Sequence, residues 1–305
     1  MIVTVGEVLA VMDAAGSGPL RHAVSFRLTV AGAESNVAIG AARLGVPVAY
    51  AGRVGDDEFG RLVLATLRGE GVDVSGVVTD ADAPTALMVK EHRLPEVVGV
   101  AYYRSGSAGS RLTAGDLPED LLRTAGLLHV SGVTPALSAS AREAVFAATE
   151  LAPRVSFDVN YRARLWSPDE ARPVLTDLAA RADVLFAGED EATLLTGSPD
   201  PEALARLGPS EVVVKRGADG CAAWCEGRPL SSAARPVRAV DTVGAGDAFA
   251  AGYLADRLAG RDFPAALHTA VTVGAFAVTQ RGDWEGLPRR EELPLLDRTP
   301  GTVLR

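Results

Sequence analysis

Apolar runs about the length of a strand alternate along this chain with segments whose apolar positions recur at the helical period. Segments 46–51, 127–130, 155–159, 184–187 and 212–214 are nearly continuous and rich in β-branched side chains, as strands buried on both faces of a parallel sheet are. Between them, 35–44, 59–70, 141–151, 169–180 and 202–207 follow the helical period. Ser167-Pro168-Asp169-Glu170 marks one helix start, with a capping serine, a proline where no N–H is needed, and acids at the positive end of the dipole. Residues 1–6 read as a first strand. Such alternation predicts an α/β fold: a doubly wound, three-layer sheet with helices on both faces.

Segments 18–30 and 84–106 break the rhythm. They alternate like half-exposed strands, with Leu87 and Val89, then Val98, Val100, Tyr102 and Arg104, on one face. The expectation is a small β-sheet lid inserted in a single domain spanning 1–305. Neither repeat, low-complexity stretch nor linker divides the chain.

At 305 residues, 48% of them hydrophobic and 23% charged, the chain can bury a large core. A net charge of −9 argues against nucleic acid or an anionic membrane as partner, so an anionic substrate needs local arginines. No apolar run is long enough to span a bilayer, and the cytoplasm is the expected compartment. Cys221 and Cys225 fall on one strand, where their separation of about 13 Å forbids a disulfide. The four histidines show no metal-ligand spacing and read as structural or surface residues.

The richest stretch for chemistry is Asp241-Thr242-Val243-Gly244-Ala245-Gly246-Asp247-Ala248-Phe249. A glycine turn leads into an apolar helix, so the amides of Gly244, Ala245, Gly246 and Asp247 lie at a helix N-terminus, which favours an anion. A carboxylate beside a bound phosphoryl group is repelled unless it takes a proton from an attacking hydroxyl, and Asp247 fits that task. The bland alternative is an Asp N-cap after a flexible turn. Neither a dinucleotide fingerprint nor a Walker A loop is present, which counts against a Rossmann dehydrogenase and a P-loop enzyme. Elsewhere, Asp158, Asn160 and Arg162 follow a strand at period two, so all three are expected on one face at its C-terminal end, where open α/β sheets bind ligands. Two arginines, Arg104 and Arg162, directed at one pocket would suit a sugar acid better than a neutral hexose.

The Asp241 stretch resembles the C-terminal signature of the PfkB carbohydrate kinases, the ribokinase-like superfamily. Ala31-Gly32-Ala33-Glu34-Ser35-Asn36-Val37-Ala38 is similar to that family's sugar-binding signature, and Gly55-Asp56-Asp57-Glu58-Phe59-Gly60 and Lys215-Arg216-Gly217-Ala218-Asp219-Gly220 follow in the family's order. The resemblance covers essentially the whole chain. It implies ATP and Mg2+ as cofactors and a monovalent cation in some relatives; the lid itself suggests a dimer or higher homo-oligomer, because one thin sheet with two faces needs cover. The resemblance also implies Asp247 as base, the Gly244 to Gly246 amides as anion hole, Gly32 and Asn36 near the sugar, and Lys215, Gly217 and Gly220 beside the nucleotide. Glu191 matches the acid of the family's Asn-x-x-Glu element, which holds hydrated Mg2+, although Gly188 stands at the asparagine position.

Tyr102-Tyr103-Arg104 with Gly106-Ser107-Ala108, and Asp158-x-Asn160-x-Arg162 before Leu165-Trp166-Ser167-Pro168, look like the members acting on 2-keto-3-deoxygluconate. The expected reaction is phosphorylation of that acid's 6-hydroxyl, with Tyr102, Arg104, Asn160 and Arg162 on the substrate. Fructokinase is the alternative within the same chemistry, and a non-catalytic sugar or nucleotide sensor the alternative outside it. The start Gly6-Glu7-Val8-Leu9-Ala10 lacks the Asn-x-Asp that ribokinases and adenosine kinases use, which counts against a riboside.

Overall fold

The computed structural model describes residues 1–94 and 97–298. The strands in chain order are β1 Ile2–Val5, β2 Leu9–Ser17, β3 Phe26–Ala31, β4 Val48–Gly55, β5 Asp73–Asp80, β6 Leu87–Leu94, β7 Val97–Tyr103, β8 Leu127–Ser131, β9 Val155–Asp158, β10 Val184–Gly188, β11 Glu211–Lys215, β12 Cys221–Cys225 and β13 Arg228–Ser232. The helices are α1 Ala33–Arg43, α2 Glu58–Gly69, α3 Glu119–Thr124, α4 Ala139–Leu151, α5 Pro168–Arg181, α6 Glu189–Thr196, α7 Pro201–Ala205, α8 Ala245–Leu258 and α9 Phe263–Ala277.

Nine strands form one sheet in the order β13-β12-β11-β10-β9-β8-β1-β4-β5, all running in one direction except β12, which is antiparallel to both β11 and β13 near one edge. Strand alternation divides the side chains between two cores: Ile2 and Val213 pack with α1, α8 and α9, whereas Val3, Val5, Val212 and Val214 pack with α4 and α5 on the opposite face. The strand order reverses around β1, which lies between β8 and β4. The crevice beyond the carboxyl ends at such a reversal is where open α/β sheets bind ligands.

The second sheet has four strands in the order β3-β2-β6-β7. Segments 18–30 and 84–106 supply β3, β6 and β7, with positions 95 and 96 outside the described residues. Two details differ from the sequence reading. Residues 20–22 form a short 3-10 turn, and Leu9–Ser17 provides a central strand of the small sheet, pairing with both β3 and β6. β2 follows β1 after only three residues and its first half is apolar on both faces, which masked the change of sheet. Cys221 and Cys225 are free and buried on β12, where burial pushes both thiols up to about 11. His129 is buried beside Ser156, and burial holds its ring down at about 4, so it packs as a neutral core residue.

Candidate active site

A cleft of about 890 Å³ opens between the carboxyl ends of the large sheet and the underside of the small one. Asp247 lies within it, in the first turn of α8, after Gly244 at the N-cap. Gly244 has φ 76°, and a Cβ there would stand 2.1 Å from the Asp283 carbonyl oxygen, so glycine meets both a left-handed turn and a close backbone approach. The first-turn N–H groups of α8 face the cleft with the positive end of the helix dipole.

Asn36, on α1, donates from Nδ2 to Asp247 Oδ2 at 2.8 Å, and Asn160 Nδ2 stands 3.4 Å from Oδ1. Burial pushes the Asp247 carboxyl up to about 7, with the Asp158 charge adding to it and the Asn36 bond, Lys215 and Arg162 opposing it. A carboxylate titrating there is suited to general-base work near neutrality. Gly32 caps α1 and lines the cleft; a Cβ there would lie 2.4 Å from the Glu7 carbonyl oxygen.

Asp158, Asn160 and Arg162 do not share one face as period two predicted. β9 ends at Asp158, and Asn160 takes a left-handed φ of 39°, which breaks the alternation. Asn160 and Arg162 still line the cleft, but Asp158 is buried and accepts from Lys215 Nζ at 2.6 Å. Burial works against the Lys215 ammonium, yet Asp158 and Glu191 outweigh it and hold its pKa above the ordinary lysine value. Lys215 Nζ stands 3.2 Å from where a Gly246 Cβ would project, beside the start of α8.

Glu191 caps α6: its two carboxylate oxygens accept from Tyr161 N at 2.8 Å and Gly188 N at 2.7 Å. Gly188 therefore contributes its backbone N–H where the sequence pattern expects an asparagine side chain. A second cavity of about 470 Å³ adjoins Lys215, Gly217 and Gly220 and is walled mostly by apolar groups such as Phe249 and Val271, with Arg235 and Thr242 among its polar lining. Gly217 has φ 55° in the turn after β11.

Tyr102 and Arg104 both line the main cleft, with the guanidinium carbon 5.0 Å from the Tyr102 ring centre. Arg104 is not free. Its Nη2 donates to Glu7 in a buried ion pair, leaving Nε buried without a partner. Glu7 was overlooked as a functional residue because one acid after β1 carries no spacing signal; the structure brings it against an arginine 97 positions away. A second overlooked pair is Lys90 of β6 with Asp283, 2.5 Å apart at the cleft wall. Their only signal in the sequence is the scarcity of lysine, which occurs at positions 90 and 215 alone.

A buried carboxylate at a helix N-terminus, an adjoining lysine, and arginines across the same cleft suit the chemistry of a phosphotransferase acting on a polyhydroxy acceptor. The pfkB family carbohydrate kinase pattern matches residues 1–290, and the chain belongs to that family. It is 41% identical over 305 residues to a 2-dehydro-3-deoxygluconokinase of Bacillus subtilis (strain 168), covering 95% of this chain and 93% of that protein. A 2-dehydro-3-deoxygluconokinase of Thermoproteus tenax is also 41% identical, over 301 residues, covering 95% and 92% of the two chains. Among solved structures, a putative ribokinase II from E. coli in complex with ATP and Mg2+ superposes with a TM-score of 0.90 at 28% identity, covering 97% and 98% of the chains. Among the described residues, no helix is long and apolar enough to cross a membrane.

Proposed function

We propose that this chain transfers a phosphoryl group from ATP to the 6-hydroxyl of 2-dehydro-3-deoxygluconate, also called 2-keto-3-deoxygluconate. The observation that carries the reading is the placement of Arg104, with its unpaired buried Nε, and Arg162 on the same cleft as Asp247. An acid end held at the arginines leaves the far hydroxyl of a six-carbon chain to reach Asp247.

In this reading Asp247 takes the proton of the attacking hydroxyl, with Asn36 and Asn160 orienting its carboxylate. The first-turn amides of α8 from Gly244 to Gly246 and the Lys215 ammonium receive the charge that develops on the transferred group. Gly32 lets the backbone approach the sugar, and Tyr102 packs beside it. The apolar cavity next to Gly217 and Gly220 accepts the adenine.

Asp158 has one buried oxygen, Oδ1, without a partner, close to Glu191. Hard carboxylate oxygens of this kind fit Mg2+, which keeps several waters and binds through one or two carboxylates and the phosphates. Glu191 and Asp158 would hold it through water, and the bound ion would supply neutralising charge to the phosphates.

The small sheet acts as a lid on a single domain and excludes water from the closed site. Exposed Val24, Leu28, Leu94 and Tyr103 all lie on that sheet or its connections, which supports a homo-oligomer formed through the lid; the enzyme is taken to be cytoplasmic. A coupled assay of ADP release tests the function. 2-Dehydro-3-deoxygluconate should be turned over with much higher kcat/KM than fructose; the reverse order would make the protein a fructokinase, and no release with any acid or ketohexose would end the kinase reading.

A further inference from the structure

Lys90 is 3% exposed on the underside of β6, with its ammonium 2.5 Å from Asp283 Oδ1. The main chain of Asp283 in turn lies directly under the phosphate-binding turn: no side chain would fit between its carbonyl oxygen and Gly244. Asp241 joins the same two backbones, accepting from Val243 N at 3.1 Å and from Gly282 N at 3.2 Å. The small sheet grips the neighbouring residues as well, since Thr29 donates to Glu285 at 2.9 Å and Trp284 Nε1 donates to the Val30 carbonyl at 3.0 Å. Lys90 is the buried, cleft-facing member of these contacts.

Building on the kinase reading above, we propose that Lys90 is a positioning residue for phosphoryl transfer: through Asp283 it locks the Gly244 turn in register when the small sheet is seated on the cleft. Sugar binding and amide alignment are thereby coupled, because strands that cover the acceptor also hold the backbone that receives the phosphoryl charge. A buried ion pair suits that task, since either charge left alone is strongly penalised and the pair has one favourable arrangement.

The test compares wild type with Lys90→Met, Lys90→Arg and the double variant Lys90→Met/Asp283→Asn, which removes both charges. Hydrogen exchange of the Gly244 to Asp247 amides should be at least about tenfold faster in Lys90→Met, while the β8 and β9 amides stay unchanged. In steady state, kcat should fall about ten- to a hundredfold with the acceptor KM within about threefold, and Lys90→Arg should recover most of kcat. The double variant should regain thermal stability without regaining kcat. Unchanged exchange at 244–247 would overturn the coupling whatever the acceptor proves to be, as would recovery of kcat in the double variant or a KM effect alone. A wild type that releases no ADP would instead count against the kinase reading, with the exchange experiment still deciding the role of Lys90.

Discussion

Asn36 and Asp247, 211 positions apart, meet in a 2.8 Å hydrogen bond that joins the starts of α1 and α8. The N-terminal and C-terminal signatures are therefore two halves of one device. The amide donor steers one oxygen of a buried carboxylate whose other oxygen is 3.4 Å from Asn160. Burial lifts the carboxyl up to about 7 even against these donors. Asn36 therefore acts on both orientation and basicity: losing its bond would free the carboxylate and raise its pKa further.

Asp247→Asn keeps the shape and removes the carboxylate proposed as base. Turnover should fall by about two to four orders of magnitude while ATP affinity, measured calorimetrically, stays within a fewfold. Near-normal turnover would remove Asp247 from the mechanism.

The pH profile follows from the same carboxyl. If its deprotonated form is the base, kcat/KM should climb about tenfold per pH unit below neutrality and level off above about pH 7. Stability has the opposite sign. The folded carboxyl titrates near 7 and the unfolded one near 3.8, so the folded state holds the extra proton between these values and loses stability as pH rises through that window. Asp247→Asn has no such titration, and its Tm relative to wild type should increase from about pH 4 to about pH 8. A Tm difference that does not vary with pH would place the carboxyl outside that window.

Glu7 and Arg104 form a buried ion pair, so removing one partner strands the other. Arg104→Ala, which strands the fully buried Glu7, should destabilise by about 3–5 kcal/mol, Glu7→Ala by less because Arg104 borders the cleft, and Glu7→Ala/Arg104→Ala by less than the sum of the single losses, as a double-mutant cycle of denaturant midpoints would measure.

Arg104→Ala should also lower kcat/KM for 2-dehydro-3-deoxygluconate about ten- to a hundredfold, the worth of a charge-assisted hydrogen bond. The loss should be small for fructose. Equal losses would assign Arg104 to lid closure and leave acid recognition to Arg162.

Arg162→Lys keeps the charge without the planar fork. The KM for the sugar acid should rise while that for ATP changes little. A larger effect on ATP would place Arg162 at the phosphates.

Much of the architecture was legible because a strand buried on both faces and a helix buried on one leave different periods in the chain. The runs at 127–130, 184–187 and 212–214 fall inside β8, β10 and β11, and the helical segments match α1, α2, α4 and α5 to within a residue or two at their ends. The placement of Asp247 in the first turn of a helix was legible too, since a glycine turn leading into an apolar run specifies a helix start by local geometry. β2 was not, because strand pairing is a tertiary choice: the apolar half of Leu9–Ser17 would suit either sheet.

The partners of the charged groups were decided in the same way. Sequence named Arg104, Asp158 and Lys215 but not Glu7 beside the first, nor the second as the hold on the third. Local periodicity also failed at Asn160, where a left-handed backbone turned the chain. What the chain determined by itself is what depends on neighbours in sequence: element type, helix starts and the glycine turn before α8. What only the folded molecule decided is the pairing of charges across 57 to 193 positions, as in Lys215 with Asp158 and Lys90 with Asp283. An ion pair depends on distance in space and on exclusion of water, and neither is written in the order of residues.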